Sequence, residues 1–322
     1  MEERQRRQPG TNPDWMSYLP EELLDVPLWN LAIPGSHDSM SFCLDVSSPV
    51  LKSEPRLLRV IDRLFPCWTR PCVSRWATTQ ESVLSDQCDL GVRFFDLRIA
   101  RKPAEGSKLF FAHGIYTLTT VKEALGELAV WLGDHPKEIV FISCSHFESL
   151  TDEDHLNLVE FIIALFGKKL WPSEDVPTLR SCWSRGQQVV VSYGDQQVVL
   201  QYPELWPGVP YLYADSPDPK KVIAYLEDQK SKGRPAGFYV SGLNLTEDAP
   251  YVLLHPLQSM RKMTKKALSV LLDWVKEQRP GWQQVDGVNI LCCDFVALSS
   301  FCSLVIDLNY KLQRFPVTDP VN

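Results

Sequence analysis

Hydrophobic positions along the chain follow two alternating rhythms. Some runs are rich in apolar residues: EIVFISC at 138–144, nearly all apolar, and QVVVSY at 188–193, GFYVS at 237–241 and VDGVNILCC at 285–293. Such runs suit strands covered on both faces, as in a parallel sheet flanked by helices. Further strands are predicted at 28–33, 91–99, 109–112 and 211–214. Between the strands, apolar residues recur at helical spacing. A helix is predicted at 120–134, where Thr120 and Glu123 make a capping box and Val121, Leu125, Leu128 and Leu132 form the buried stripe. Others are expected at 151–166, stopped by Gly167, at 219–231, opened by Pro219, and at 263–278 and 298–312, with a short one at 17–24.

Strand–helix alternation through the whole chain predicts a parallel sheet with helical crossovers. About eight strands fit a TIM-type (β/α) barrel, a fold of ~250 residues. The expected class is therefore α/β, with one barrel domain over 15–322 and a disordered tail at 1–14. A doubly wound sheet is the alternative, but no G-x-G-x-x-G follows a strand. There is also no Walker motif, H-E-x-x-H or G-x-S-x-G.

The least regular region, 40–80, is broken up by Pro49, Pro55, Pro66 and Pro71. Within it RLLRVIDRLF at 56–65 is amphipathic and basic, and the expectation is that its apolar face packs on the domain. A lipid-facing rim is the other reading, built from this insert and the aromatic loop at 201–213, with Trp68, Trp76 and Trp206 as its members.

The chain has 322 residues, 44% of them hydrophobic and 23% charged, which is ordinary for a globular protein. A net charge of −7 argues against nucleic acid as a partner and requires a local cationic site for any anionic substrate. Nine cysteines, an odd number without a C-x-x-C pair, read as reduced thiols and provide neither a disulfide frame nor a zinc site. Residues 1–10 are polar, with Arg4, Arg6 and Arg7, and no apolar segment approaches the ~20 residues of a membrane span. A cytoplasmic protein is expected, with peripheral membrane contact at most.

Active-site groups of a barrel collect where its parallel strands end. The polar residues there are His37, Asp38, Asp96, Arg98, His113, Ser145, Tyr193, Asp215 and Asp294. Two of the six histidines, His37 and His113, directly follow two different strands. Two imidazoles, an arginine and supporting carboxylates suit cleavage of a phosphodiester. One imidazole takes a proton, the other gives one, and the guanidinium holds the phosphate oxygens. A buried hydrogen-bonded network is the alternative for the same residues.

IPGSHDS, GVRFFDLR and FAHG, in that order, resemble the X domain of phosphatidylinositol-specific phospholipase C, in its X-domain-only intracellular branch. GVNILCCDFV is similar to the family's last strand, and the motif core lies within 28–200. The resemblance implies a distorted TIM barrel and cleavage of phosphatidylinositol-like lipids to diacylglycerol and a cyclic inositol phosphate. It implies His37 as general base, His113 as general acid, Asp294 orienting His37, Asp38 supporting His113, and Asp96 beside Arg98.

Calcium-dependent members carry an acidic residue where Arg98 stands and Asn where Asp38 stands. The resemblance to metal-independent members therefore implies no metal and no cofactor. Those members have a lysine near Ser145, an arginine near Tyr193 and a tyrosine after the acid that Asp215 matches, so Ser145, Tyr193 and Asp215 are the candidate headgroup residues here. The implied partner is a phosphoinositide-containing membrane surface, contacted transiently. A non-catalytic phosphoinositide-binding module and a phosphodiesterase on another glycerophospho- or glycosylphosphatidylinositol diester are the alternatives.

Overall fold

The computed structural model describes residues 10–247, 251–252, 255, 257–281 and 287–314. Among the described residues ten strands form one sheet: β1 Ile33–Ser36, β2 Phe94–Arg101, β3 Leu109–His113, β4 Ile115–Thr120, β5 Val140–Glu148, β6 Val189–Tyr193, β7 Leu205–Pro207, β8 Tyr211–Leu212, β9 Val240–Gly242 and β10 Ile290–Cys293. Eight of them run parallel in the order β7-β6-β5-β2-β1-β10-β9-β8. That is the sequential order of a TIM barrel. Among the described residues no ladder joins β7 to β8, so the barrel is open along one seam.

Alternation along each strand sorts the side chains. Ile33, Phe94, Phe141, Val190, Val240 and Ile290 fill the barrel interior, which Trp15, Met16, Leu28 and Leu31 plug at the N-terminal end of the strands. Phe95, Leu97, Val140, Ile142, Val189 and Val191 face outward onto helices. Each such large side chain stabilises the fold by roughly 1.5–3 kcal/mol. The helices are α1 Arg56–Leu64, α2 Pro66–Ala77, α3 Leu84–Leu90, α4 Val121–Asp134, α5 Asp152–Phe166, α6 Leu179–Arg185, α7 Gln196–Val199, α8 Pro219–Ser231, α9 Met260–Glu277 and α10 Phe301–Leu308. The Thr120–Glu123 capping box opens α4 as expected.

Several expectations need correction. Residues 28–32 are not strand: Leu28–Asn30 is a 3-10 turn after Pro27, flanked by the Asn289 amide, which donates to the carbonyls of Leu28 and Leu31. The strand begins later and runs through Pro34 and Gly35. Residues 109–113 do form a strand, but it pairs antiparallel with β2, which overshoots the barrel, and with β4. The eighth barrel strand is β7, in a segment read as loop. In place of a helix at 17–24 there are two 3-10 turns, Met16–Tyr18 and Glu21–Leu23, separated by Pro20.

Residues 1–9 of the expected tail lie outside the described residues. Asn12 and Asp14 belong to the fold: Asn12 bonds Asp89, Leu90 and Ser303, and Asp14 pairs with His135. Part of the strand expected at 285–293, residues 285–286, also lies outside them.

The 56–76 insert packs only part of its apolar face on the domain: Leu58 and Val73 rest on the cluster of Leu44, Val50, Ala77 and Ile115, and the remainder faces outward. Asp62 is the buried residue of α1, taking the Arg70 guanidinium at 2.8 Å and the Val50 amide at 3.3 Å. Leu57, Leu64 and Trp68 are 72%, 66% and 69% exposed, and Val60 and Phe65 are exposed with them. Trp76 is not on that surface. It is buried, edge-on to Tyr251 at 5.9 Å. Nor does Trp206 belong to a rim: its ring packs on Phe238 at the closed end of the barrel, and its indole N–H donates to Trp171 O.

Candidate active site

β1 ends at Ser36, so His37 leaves the sheet at the barrel mouth, with Asp38 in the left-handed region at φ 41°. Asp tolerates this conformation better than most residues, and it turns the carboxylate back over the mouth. Buried Gln80 donates to the carbonyls of His37 at 3.1 Å and Cys293 at 2.9 Å, tying the end of β1 to the end of β10. That tie sets the distance between His37 and Asp294, whose Nδ1 and Oδ1 are 2.8 Å apart.

Asp38 is the hub. One oxygen pairs with Nε of Arg98; the other lies 3.4 Å from His37 Nε2 and 3.2 Å from His113 Nδ1. The Arg98 guanidinium donates to His37 Nε2 at 3.0 Å and stands 3.9 Å from Asp96. His113 reaches the mouth from the end of β3, running opposite to the barrel strands, and its Nδ1–H donates to Ala77 O at 2.6 Å. The two imidazoles are edge-on, 6.3 Å apart. Asp96 accepts from the Ser145 hydroxyl at 2.6 Å.

Electrostatics separates the two histidines. Burial lowers the proton affinity of His37, but the carboxylates of Asp38 and Asp294 outweigh it and raise its pKa to about 9. His37 Nε2 is bracketed accordingly: neutral, it accepts from Arg98; protonated, it faces Asp38. Burial also lowers His113, which stays below the ordinary histidine value because Arg98 and His37 add to the fall against the pull of Asp38. Asp38 is held low in spite of burial by Arg98 and the two histidines.

His37, Asp38 and Asp96 each offer a ligand atom within 4.8 Å of the others. The donor set suits a divalent cation poorly, because Arg98 engages Asp38 and fixes a positive charge beside Asp96. All nine cysteines are free thiols. Among the described residues no helix is long and apolar enough to cross a membrane.

His37, Asp38, Asp96, Arg98, His113, Asp294 and Ser145 thus come together. Tyr193 does not: it points out of the barrel and its hydroxyl meets His155 at 2.7 Å. Val190 and Ser192 carry the inward face of β6, so alternation turns Tyr193 away. Asp215, at φ 48°, is an exposed residue beyond β8.

Sequence reasoning also missed members. Tyr211 stands 6.1 Å from His37, its hydroxyl donating to Asn244 at 3.0 Å. Glu247, raised by burial to about 7, feels Asp294 and Glu54 as like charges. His146, passed over because it follows Ser145, is bonded to that serine at 2.9 Å. The signal available for Tyr211 was its place in a strand, read instead as an aromatic rim.

No family model matches the chain. It is 53% identical over 299 residues to PI-PLC X domain-containing protein 1 of Danio rerio, across 92% of this chain and 96% of that protein. The Homo sapiens protein of the same name is 48% identical over 305 residues, 94% of each chain. PI-PLC X domain-containing protein 3 of Danio rerio is 38% identical over 308 residues, across 93% and 94%. Among solved structures, phosphatidylinositol-specific phospholipase C from Listeria monocytogenes shares the fold, with a TM-score of 0.65 over 93% of this chain and 99% of that chain at 18% identity. With identity at these levels sustained over nearly the full length, the chain belongs to the family of PI-PLC X domain-containing proteins.

Proposed function

We propose that this protein is a metal-independent phosphoric diester hydrolase of the phospholipase C type, acting on phosphatidylinositol-like lipids. The observation that carries the reading is the bracket of two imidazoles, 6.3 Å apart, around Asp38 and Arg98. Arg98 binds the non-bridging oxygens of the phosphodiester. His37 Nε2 takes the proton of the attacking inositol 2-hydroxyl as its oxygen bonds phosphorus. The bond from phosphorus to the glyceryl oxygen breaks, and His113 Nε2 gives that oxygen a proton. In the free site the shared proton lies on His37, which binds it more tightly, so the reacting form is the minor one in which His113 holds the proton, a form that the bound phosphate anion favours. Water opens the cyclic phosphate with the two roles exchanged. Arg98 supplies the charge that a calcium ion would otherwise supply.

The exposed apolar face of α1, with Phe65 and Trp68, lies beside α2, whose last residue, Ala77, accepts a hydrogen bond from His113. We propose it as the lipid-facing contact, with the membrane as transient partner. The outward Tyr193 favours a second reading, in which the same chemistry serves another glycerophosphodiester or a glycosylated phosphatidylinositol.

The test is incubation of purified protein with phosphatidylinositol vesicles in EGTA. Diacylglycerol and cyclic inositol phosphate are the expected products. Turnover that appears only when calcium is restored overturns metal independence. Vesicle binding without turnover under either condition leaves a non-catalytic binding module.

A further inference from the structure

β2 and β5 pair in step from Phe94–Phe141 to Leu97–Cys144, then slip by one residue, so that Arg98 lies opposite His146 and Ser145 is the extra residue. A bulge of this kind resets the alternation of side chains. Phe141 faces the interior before it. Phe147, after it, is back on the outside against His155 and Tyr193. Between them two consecutive residues, Ser145 and His146, turn to the mouth. A third histidine thereby joins the site, in a position that strict alternation would have sent outward.

The hydrogen-bond chain fixes its tautomer. Ser145 Oγ–H donates to Asp96 Oδ1 at 2.6 Å, leaving only lone pairs for His146, so Nδ1, 2.9 Å away, carries the proton. In the neutral ring Nε2 is then proton-free. Burial and the Arg98 cation hold His146 below the ordinary histidine value, against Asp96 and Asp38, with His37 adding to the fall. These interactions favour the neutral ring, which also reaches the surface. Of the groups that face it, Asp96 is engaged by Ser145, and Asp38 by Arg98.

We propose that His146 Nε2 is the headgroup-reading acceptor of this site: it accepts a hydrogen bond from a ring hydroxyl of a polyol phosphate whose phosphate Arg98 holds. The identity of that ligand rests on the phosphodiesterase reading above. A neutral acceptor takes a bond from a free hydroxyl and none from a phosphate ester at the same carbon. The site thus discriminates against headgroups phosphorylated there.

The whole protein is titrated with myo-inositol and, separately, with inorganic phosphate, following the His146 Cε1–H resonance, assigned by its loss in His146→Gln. Myo-inositol stabilises the neutral ring and is expected to lower its apparent pKa, whereas phosphate alone raises it. On phosphatidylinositol vesicles His146→Ala is expected to raise KM about tenfold, well beyond any fall in kcat, and His146→Gln, which keeps an acceptor oxygen, to recover most of it. A resonance unmoved by myo-inositol, or a KM unchanged by His146→Ala, overturns the proposal. A protein that turns over no lipid but whose His146 still responds to myo-inositol overturns the phosphodiesterase reading alone.

Discussion

Asp38 faces Arg98 and both histidines at once, and the consequence is a shared proton. With His37 raised to about 9 and His113 held below the ordinary histidine value, one proton resides on the pair between those limits, mostly on His37, and the reacting form is the minor one with that proton on His113. Below the lower limit both rings are charged and no base is left; above the upper limit both are neutral and no acid is left. The pH dependence of kcat/KM is thus expected to be a bell, with its acid limb below 6.5 and its alkaline limb near 9. The Asp294 carboxylate helps to raise His37, so Asp294→Asn should move the alkaline limb to lower pH and leave the acid limb in place. An alkaline limb that stays near 9 in that variant would count against the His37 assignment. Much of this centre was legible in the sequence, because SHD, FDLR and AHG set their residues at chain reversals after apolar runs. His146 was not, since a bulge has no signature in a period-two pattern, and neither was Gln80, whose use is to bond two carbonyls more than 200 residues apart in the chain.

At the scale of elements, β1 depends on one glycine. A Cβ on Gly35 would stand 2.5 Å from Cys292 Sγ and 3.1 Å from the Phe94 ring, inside the barrel where β1 meets both neighbours. Gly35→Ala is expected to cost about 1–3 kcal/mol through overpacking. A thermal melt reads this as a lowered Tm, and adding Cys292→Ala, which empties the opposing position, should recover part of it. An unchanged Tm in the single variant would show that the sheet absorbs the methyl group. The same element explains why its strand was misplaced. Residues 28–31 are apolar enough for a strand, but Pro27 and the Asn289 amide hold them in a turn, and Asn289 lies far beyond any local window. His113 was found as a strand-end residue, although its strand runs the other way. The rule located the mouth because the overshoot of β2 makes the returning hairpin end there.

At the scale of the molecule, eight barrel strands were expected and eight are present among the described residues, but not the same eight. The strand at 109–113 belongs to a hairpin, and three-residue β7, too short for any periodic signal, takes its place in the barrel. The outward face of α1 was likewise illegible, since amphipathicity gives a stripe and not the direction it faces. Burial of Asp62 decides that direction. Because Leu64, Phe65 and Trp68 are already exposed, changing all three to serine should leave the melting temperature nearly unaltered while reducing co-sedimentation with phosphatidylinositol vesicles several-fold. Undiminished vesicle binding by this variant would exclude the patch as the lipid contact.

The seam between β7 and β8 bears on compliance. A closed barrel is a hoop, and its circumference is fixed by its ladders. This one is a split ring, sprung from the long β2–β5 pair and ending in two free lips of three and two residues. A split ring can widen by flexing its sheet, with no ladder bond broken. Tyr211, on one of those lips, stands beside His37. The aperture over the base can thus adapt to the girth of what enters, while the spacing of the two histidines, set on the far side of the ring, stays the same.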